Sequence, residues 1–151
     1  MTLTVTAPLA GKLVAIEEVP DPVFSGKFVG PGIAVDPERD GELTAVAPIS
    51  GRVVKVHPHA FVIVSDDSKG VLVHLGLDTV QLAGEGFKVL AKEGDQVKAG
   101  DPMVTWNPAQ IEAGGRNPIV PIIALETEEA DLTLPELGSA VTPGDRVLTI
   151  K

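Results

Sequence analysis

The chain has 151 residues, of which 44% are apolar and only 3% aromatic, and it contains no cysteine. This length predicts a single domain over residues 1–151 with an aliphatic core, and the lack of cysteine excludes disulfides, zinc–thiolate sites and a cysteine nucleophile. The formal net charge of −9 disfavours binding to nucleic acid and to anionic lipid surfaces, and it would attract a basic partner.

Membrane insertion is not expected. No apolar stretch approaches the roughly 20 residues that span a bilayer. The first residues show no cationic segment followed by a long apolar run, so neither a signal peptide nor an amphipathic anchor is predicted. The sequence therefore predicts a soluble, cytoplasmic protein.

Short apolar runs alternate with turn signals along nearly the whole chain, which is typical of an all-β protein. The 16 glycines and 13 prolines also disfavour long helices. We expect an antiparallel β-sandwich or barrel with little helix: one helical turn at Gln110–Gly114, and a short helix or loop at Glu126–Leu132. The predicted strands lie at about residues 3–7, 12–17, 32–35, 43–47, 52–57, 60–64, 71–75, 87–90, 103–106, 119–123 and 146–150.

The chain partly repeats itself. Residues 7–14, Ala-Pro-Leu-Ala-Gly-Lys-Leu-Val, resemble residues 47–54, Ala-Pro-Ile-Ser-Gly-Arg-Val-Val. A second pair matches the Gly-Asp turn of residues 93–97 with that of residues 142–147. We interpret this as a fold built from duplicated β units, although turn chemistry alone also converges on Pro, Gly and Asp.

Two of the three histidines lie on either side of a predicted hairpin loop. We expect one strand at 59–64 and the next at 71–75. A loop of two or four residues places His59 directly opposite His74, with Cβ atoms about 4.5–5.5 Å apart. A loop of odd length would shift the register by one residue and break this pairing.

The expected surround of the two histidines favours their neutral form. On the even register, their faces carry apolar or small neighbours: Phe61 and Ile63 beside His59, and Leu72 and Gly76 beside His74. Desolvation and mutual repulsion then disfavour protonation. One neutral imidazole can act as a nucleophile while the other donates a hydrogen bond to a phosphoryl oxygen. The pair also suits half of a zinc site, and two strand histidines without a role remain an alternative.

At these residues the sequence resembles the glucose-type enzyme IIA family of the phosphoenolpyruvate:sugar phosphotransferase system. Residues 71–87 resemble the family's hydrophobic-His-x-Gly-hydrophobic-Asp-Thr-Val signature and the Gly-Glu-Gly-Phe turn that follows it. His59-Ala60-Phe61 resembles the family's second histidine segment. Further matches follow in order at residues 7–9, 19–24, 29–34, 93–94 and 97–101.

The resemblance implies a β-sandwich with a shallow apolar depression around the histidines. It implies that phospho-HPr phosphorylates His74 on Nε2, and that His74 donates to a cysteine of the IIB domain of a sugar permease. His59 would stabilise the phosphoryl group, and the Gly76 carbonyl would hold Nδ1 of His74. The signature adds Asp78 and Thr79 as supporting residues. The implied docking face comprises Val23, Phe24, Phe28, Val29, Leu72 and Val80.

The resemblance further implies a monomer that needs no cofactor, with regulatory partners also possible. Zinc would be optional, held by His59 and His74 together with a partner's carboxylate. Two departures from the family pattern stand out. His57 occupies the place of a threonine two positions before the second histidine, and the amphipathic N-terminal helix of some members is absent. We expect His57, which precedes Pro58, to lie in a turn and to be incidental.

Three alternative functions stay open at this point. A zinc metallopeptidase on a related duplicated β fold would use the His-x-His pattern at 57–59 and the His-x-x-x-Asp pattern at 74–78. A lipoyl- or biotinyl-type carrier would need an exposed lysine at a hairpin tip, where Lys69 lies without the usual neighbouring methionine. A regulatory relative would bind partners without accepting phosphate.

Overall fold

The computed structural model describes residues 2–135 and 137–151, and within them the chain is built almost entirely from short strands. Two short helices, α1 (Pro22–Ser25) and α2 (Pro108–Ala113), and three single 3-10 turns accompany the strands. The strands are β1 (Leu3–Thr6), β2 (Gly11–Ala15), β3 (Gly32–Pro37), β4 (Leu43–Val46), β5 (Gly51–His57), β6 (Ala60–Val64), β7 (Gly70–His74), β8 (Lys88–Val89), β9 (Gln96–Val97), β10 (Pro102–Trp106), β11 (Val120–Leu125), β12 (Leu132–Thr133), β13 (Ala140–Val141) and β14 (Arg146–Ile150).

These strands form three sheets in which neighbouring strands are antiparallel. The large sheet has the order β13-β2-β3-β11-β7-β6-β5-β9, and the two smaller sheets have the orders β4-β10-β8 and β1-β14-β12. The predicted antiparallel β architecture with little helix is confirmed. None of the described helices has the length and apolarity needed to cross a membrane.

The main core lies between the sheets and is dominated by aliphatic side chains. It includes fully buried residues from each sheet, such as Val5, Ile122 and Val104. Its largest member is Trp106, whose ring stacks on Phe87 with centroids 5.9 Å apart.

A second, smaller cluster packs on the other face of the large sheet. It consists of Ile16, Val19, Phe24, Ala34, Leu77, Ile119 and Ile123. Because side chains alternate across a strand, β7 contributes Val71 and Val73 to the main core and turns Leu72 and His74 toward this second cluster. The second cluster therefore lies directly beneath His74.

The eight-residue repeat is visible in the backbone hydrogen bonds. The amide of Ala7 donates to the carbonyl of Asp145 at 2.7 Å, and the amide of Ala47 donates to that of Asp101 at 2.8 Å. In each half the repeat then enters a strand of the large sheet, β2 or β5. The duplicated β units predicted from residues 7–14 and 47–54 are confirmed.

The second repeat pair is corrected by the structure. The turn equivalent to 142–145 is 98–101, because the carbonyls of Asp145 and Asp101 accept from the equivalent amides of Ala7 and Ala47. In both turns the first amide also donates to the aspartate carboxylate three residues on, at 2.9 Å. The turn at 92–95 makes the same contact but occupies a different place, beside β5. Turn chemistry, rather than duplication, produced the match between 93–97 and 142–147.

Candidate active site

The hairpin β6–β7 has a register that differs by one residue from the predicted one. Val64 pairs with Gly70, and Ala60 rather than His59 lies opposite His74. The prediction of a directly opposed histidine pair is therefore wrong. Its corollary is wrong too, because Phe61 and Ile63 point into the main core and not toward the histidines.

The cause is a loop of odd length. The amide of Ser65 donates to the carbonyl of Lys69 at 2.9 Å, so three residues, 66–68, form the tip. Ser68 has a φ of 65°, the left-handed conformation that completes a three-residue hairpin loop. The register depends on whether one loop residue adopts this conformation. The alternation of side chains on the two strands does not show that, so the register could not be determined from the sequence.

The two imidazoles nevertheless lie side by side, because His59 belongs to the turn between β5 and β6. The carbonyl of His59 accepts a hydrogen bond of 2.7 Å from the amide of Leu75, which places the turn beside the end of β7. The ring centroids of His59 and His74 are 5.3 Å apart, with an angle of 67° between the planes. The turn backbone, rather than cross-strand pairing, brings the two rings together.

The His74 ring is held through one nitrogen. Its Nδ1 lies 2.6 Å from the carbonyl oxygen of Gly76. Since a carbonyl only accepts, Nδ1 carries the proton and donates, and Nε2 keeps its lone pair. The arrangement fixes both the tautomer and the direction of the ring, and it leaves Nε2 available as a nucleophile.

The loop after His74 is shaped to present the Gly76 carbonyl. Thr79 is buried, and its hydroxyl donates to the carbonyl of Leu75 at 2.7 Å. Leu77 donates its amide to Asn117 at 2.8 Å. Asp78, exposed and with a φ of 58°, precedes the 3-10 turn Thr79–Leu82. The Gly-x-Asp-Thr sequence thus acts as a local scaffold for His74.

Gly76→Ala is expected to destabilise the protein by about 1–3 kcal/mol, because the residue sits at positive φ. Its φ is +82°, and an added Cβ would lie 2.8 Å from Cγ2 of Thr79. Gly86→Ala is a matched control with a φ of +87° and no heavy atom within 4 Å of its Cβ. Urea denaturation should show a larger loss for Gly76→Ala, and equal losses would contradict the contact with Thr79.

Burial favours the neutral form of both imidazoles. It lowers the pKa of His74 from its ordinary value of 6.5. The hydrogen bond to Gly76 and the charges of Asp21 and Asp78 favour the cation and act in the opposite direction, but burial has the larger effect. The pKa of His59 is also lowered, first by burial and then by the positive charges of His74 and His57 when these are protonated. At neutral pH the site therefore presents uncharged rings.

Histidine titration should show these shifts. Ring-proton NMR is expected to give midpoints below 6.5 for His59 and His74. Between the folded and unfolded pKa values the unfolded chain binds more protons, so the free energy of unfolding falls as the pH drops through this window. His74→Gln should flatten that fall in urea denaturation. A His74 midpoint at or above 6.5 would show that burial does not dominate.

The six apolar residues of the implied docking face differ in their exposure. The Phe24 ring is buried, and its centroid lies 5.2 Å from that of His74. Val29 and Leu72 are partly buried against the second cluster. Three further side chains are exposed to solvent, by 49% for Val23, 80% for Phe28 and 59% for Val80. The predicted docking residues thus divide into a buried support and an exposed apolar rim.

Two parts of this site were not predicted from the sequence. Helix α1, which carries Phe24, begins with Asp21 as its cap, accepting from the amide of Val23 at 3.0 Å, and with Pro22 at its first position. That Asp-Pro pair is a recognised helix-start signal. The second missed feature is His57, which stacks on His59 with centroids 5.7 Å apart and 19° between the planes.

The histidines alone do not make a complete metal site. Within residues 2–135 and 137–151, no group of three or more His, Cys, Asp or Glu side chains is arranged to hold a metal ion. His59 and His74 supply two imidazoles, half of a tetrahedral zinc set, so zinc here would need ligands from another molecule. The metallopeptidase hypothesis finds no support.

Comparison with known proteins points to one family. Residues 3–130 match the family model of the phosphoenolpyruvate-dependent sugar phosphotransferase system, EIIA 1. The PTS system glucose-specific EIIA component of Staphylococcus aureus (strain COL) is 46% identical over 130 residues, covering 85% of this chain and 76% of the relative. The protein of the same name from Bacillus cereus is 38% identical over 143 residues, with 93% and 85% covered.

A solved structure agrees with the sequence relatives. Glucose permease IIA from Mycoplasma capricolum superposes with a TM-score of 0.90 at 33% identity, covering 100% of this chain and 97% of that one. The chain therefore belongs to the EIIA 1 family of the phosphoenolpyruvate-dependent sugar phosphotransferase system.

Proposed function

We propose that this IIA protein carries a phosphoryl group on Nε2 of His74, accepting it from phospho-HPr and donating it to a cysteine of the IIB domain of a glucose-type sugar permease. The observation that carries the proposal is the 2.6 Å contact between Nδ1 of His74 and the Gly76 carbonyl. That contact reserves Nε2 for the phosphoryl group, beside a second imidazole 5.3 Å away.

The transfer is a pair of displacements at phosphorus. The lone pair on Nε2 of His74 attacks the phosphorus of phospho-HPr, a new P–N bond forms, and the P–N bond to the donor histidine breaks with its electron pair. In the second step a thiolate of the IIB domain attacks, a P–S bond forms, and the electron pair of the P–N bond returns to Nε2. No oxidant or metal enters this balance.

Positive charge develops on the His74 ring when Nε2 attacks, because Nδ1 keeps its proton. The Gly76 carbonyl accepts that proton's hydrogen bond, and the carboxylates of Asp21 and Asp78 favour the cationic ring. These same groups oppose the effect of burial on the pKa of His74. We propose that they stabilise the ring in the transition state for transfer, which gives Asp78 a role beyond its place in the turn.

His59 is proposed to bind the phosphoryl oxygens. Its ring centroid lies 5.3 Å from that of His74, with 67° between the planes, and a ring N–H there can donate a charge-assisted hydrogen bond to an oxygen of the transferred group. His59 itself is not the proposed acceptor, because within residues 2–135 and 137–151 no carbonyl contacts its ring nitrogens as Gly76 contacts Nδ1 of His74.

The apolar rim is proposed to dock both partners. Val23, Phe28 and Val80 are exposed apolar residues, whereas Phe24 lies in the second cluster beneath the histidine site and Val29 and Leu72 pack against it. A partner that covers this rim excludes water from a labile phosphohistidine. The net charge of −9 would speed association with a basic partner.

Residues 1–151 act as one IIA domain and as a monomer, no cofactor is required, and zinc binds only where a partner adds a carboxylate to His59 and His74. His59 and His74 lie side by side and would supply two of the ligands of that zinc site.

The proposal is tested by reconstituting the relay. The wild-type chain is incubated with phosphoenolpyruvate, enzyme I and HPr, and its intact mass is measured before and after addition of a IIB domain. We expect a gain of one acid-labile phosphoryl group that is lost to IIB. A chain that gains no phosphate under these conditions would instead be a regulatory relative.

A further inference from the structure

Four aromatic rings form a chain of neighbouring pairs at the candidate site. The centroids of Phe24 and His74 are 5.2 Å apart, those of His74 and His59 are 5.3 Å apart, and those of His59 and His57 are 5.7 Å apart. The two imidazoles assigned to phosphoryl transfer are therefore the inner rings. Phe24 and His57 are the end rings, one buried and one exposed.

The backbone of His59 is fixed from two sides. Its carbonyl accepts from the amide of Leu75 at 2.7 Å. The preceding Pro58, whose own φ is restricted by its ring, lies against Gly84, where an added Cβ would be 3.2 Å from Cγ of Pro58. These contacts set the position of the His59 Cα, but they leave the ring free to rotate about the side-chain bonds.

The orientation of the His59 ring depends on its contacts with other rings. Within the described part of the chain no hydrogen bond reaches its ring nitrogens, and its pKa reflects only burial and the charges of His74 and His57. By contrast, Nδ1 of His74 is held by Gly76. The His57 ring lies nearly parallel to the His59 ring, at 19°, with the two centroids 5.7 Å apart.

We propose that His57 is a positioning residue, which stacks on His59 and holds the His59 ring in its orientation beside His74 during transfer. This inference rests on the proposed function, and it concerns the stacking face of His57 rather than its nitrogens. Aromatic pairs of this kind contribute enough to bias a side-chain rotamer. Because His57 is exposed and ends β5, its substitution leaves both clusters of buried residues intact.

The test compares His57→Ala, His57→Phe and the exposed control Lys55→Ala on the same strand. Rates of phosphoryl donation to a IIB domain are measured as kcat and KM, and the His59 ring protons are followed by NMR. For His57→Ala we expect kcat to fall about three- to tenfold with KM unchanged. We also expect the chemical shifts of the His59 ring protons to move toward the average over several ring orientations. His57→Phe should restore both readouts, and Lys55→Ala should match wild type.

Two results would overturn the inference while leaving the proposed function in place. If His57→Ala donates at the wild-type rate, stacking does not position His59. If His57→Phe is as slow as His57→Ala, a nitrogen of His57 is what matters and not its face. A wild-type chain that accepts no phosphate would instead overturn the proposed function, and the inference with it.

Discussion

His74→Ala is expected to accept no phosphate from phospho-HPr, a loss of more than about a thousandfold, because the substitution removes the nucleophile itself. In the described part of the chain, no carbonyl fixes the tautomer of the neighbouring imidazole, His59, as Gly76 does for His74. It should therefore not substitute for His74. Intact-mass spectrometry of the reconstituted relay measures this directly.

Loss of folding must be separated from loss of the nucleophile. His74 packs between the rings of Phe24 and His59, so truncation to alanine leaves a gap at the surface of the second cluster. His74→Gln keeps most of the volume, and His59→Ala makes the same truncation one ring away. We expect His74→Gln to be folded and unphosphorylated and His59→Ala to accept phosphate. Phosphate on either His74 variant would move the acceptor to another residue.

His59→Gln is expected to accept phosphate but to donate it to IIB about 10²–10³-fold more slowly, because a transition-state contact of the size found in enzyme oxyanion sites is weakened. A glutamine amide can donate to a bound phosphoryl oxygen, so the phosphorylated state persists. It cannot become cationic as an imidazole can, so it stabilises the charge on the departing group less well.

Single-turnover quench experiments resolve the two halves of this prediction. Acceptance is followed with excess phospho-HPr, and donation is followed with purified phospho-protein and excess IIB. Gln81→Ala, an exposed change near the rim, serves as a control that should alter neither step strongly. If His59→Gln slows acceptance and donation equally, or slows neither, His59 does not have the proposed role.

The fold class could be predicted because the alternation of apolar and polar residues marks a strand whatever the register in which it pairs. Alternating apolar residues such as Val71 and Val73 mark a face of a strand regardless of its partner. The repeat of residues 7–14 at 47–54 likewise determines local structure in both halves. Two-residue strands such as β9, β12 and β13 were missed, because two residues are too few to show an alternation.

The proximity of His59 and His74 was predicted, but from an incorrect strand register. The register depended on one loop residue, Ser68, adopting the left-handed conformation, which serine does only when its surroundings stabilise it. The proximity of His59 to His74 instead follows from the turn at Pro58 and the hydrogen bond between Leu75 and His59. The role of His57 was not visible either, since ring stacking depends on the direction of a turn that no periodicity encodes.

The local scaffold of His74 was more predictable. The Gly76 contact was expected from the family signature, and the structure places the carbonyl 2.6 Å from Nδ1. Asp21 was not anticipated, because it lies on a segment distant in sequence that approaches His74 only through helix α1.

The most direct measurement is long-range ¹H–¹⁵N NMR of the histidine-labelled phospho-protein, with ³¹P coupling used to identify the phosphorylated nitrogen. We predict phosphorus coupling to Nε2 of His74 and a retained proton on Nδ1 of the same ring. Coupling to Nδ1 of His74, or to either nitrogen of His59, would contradict the assignment of Gly76 as the group that reserves Nε2 for transfer.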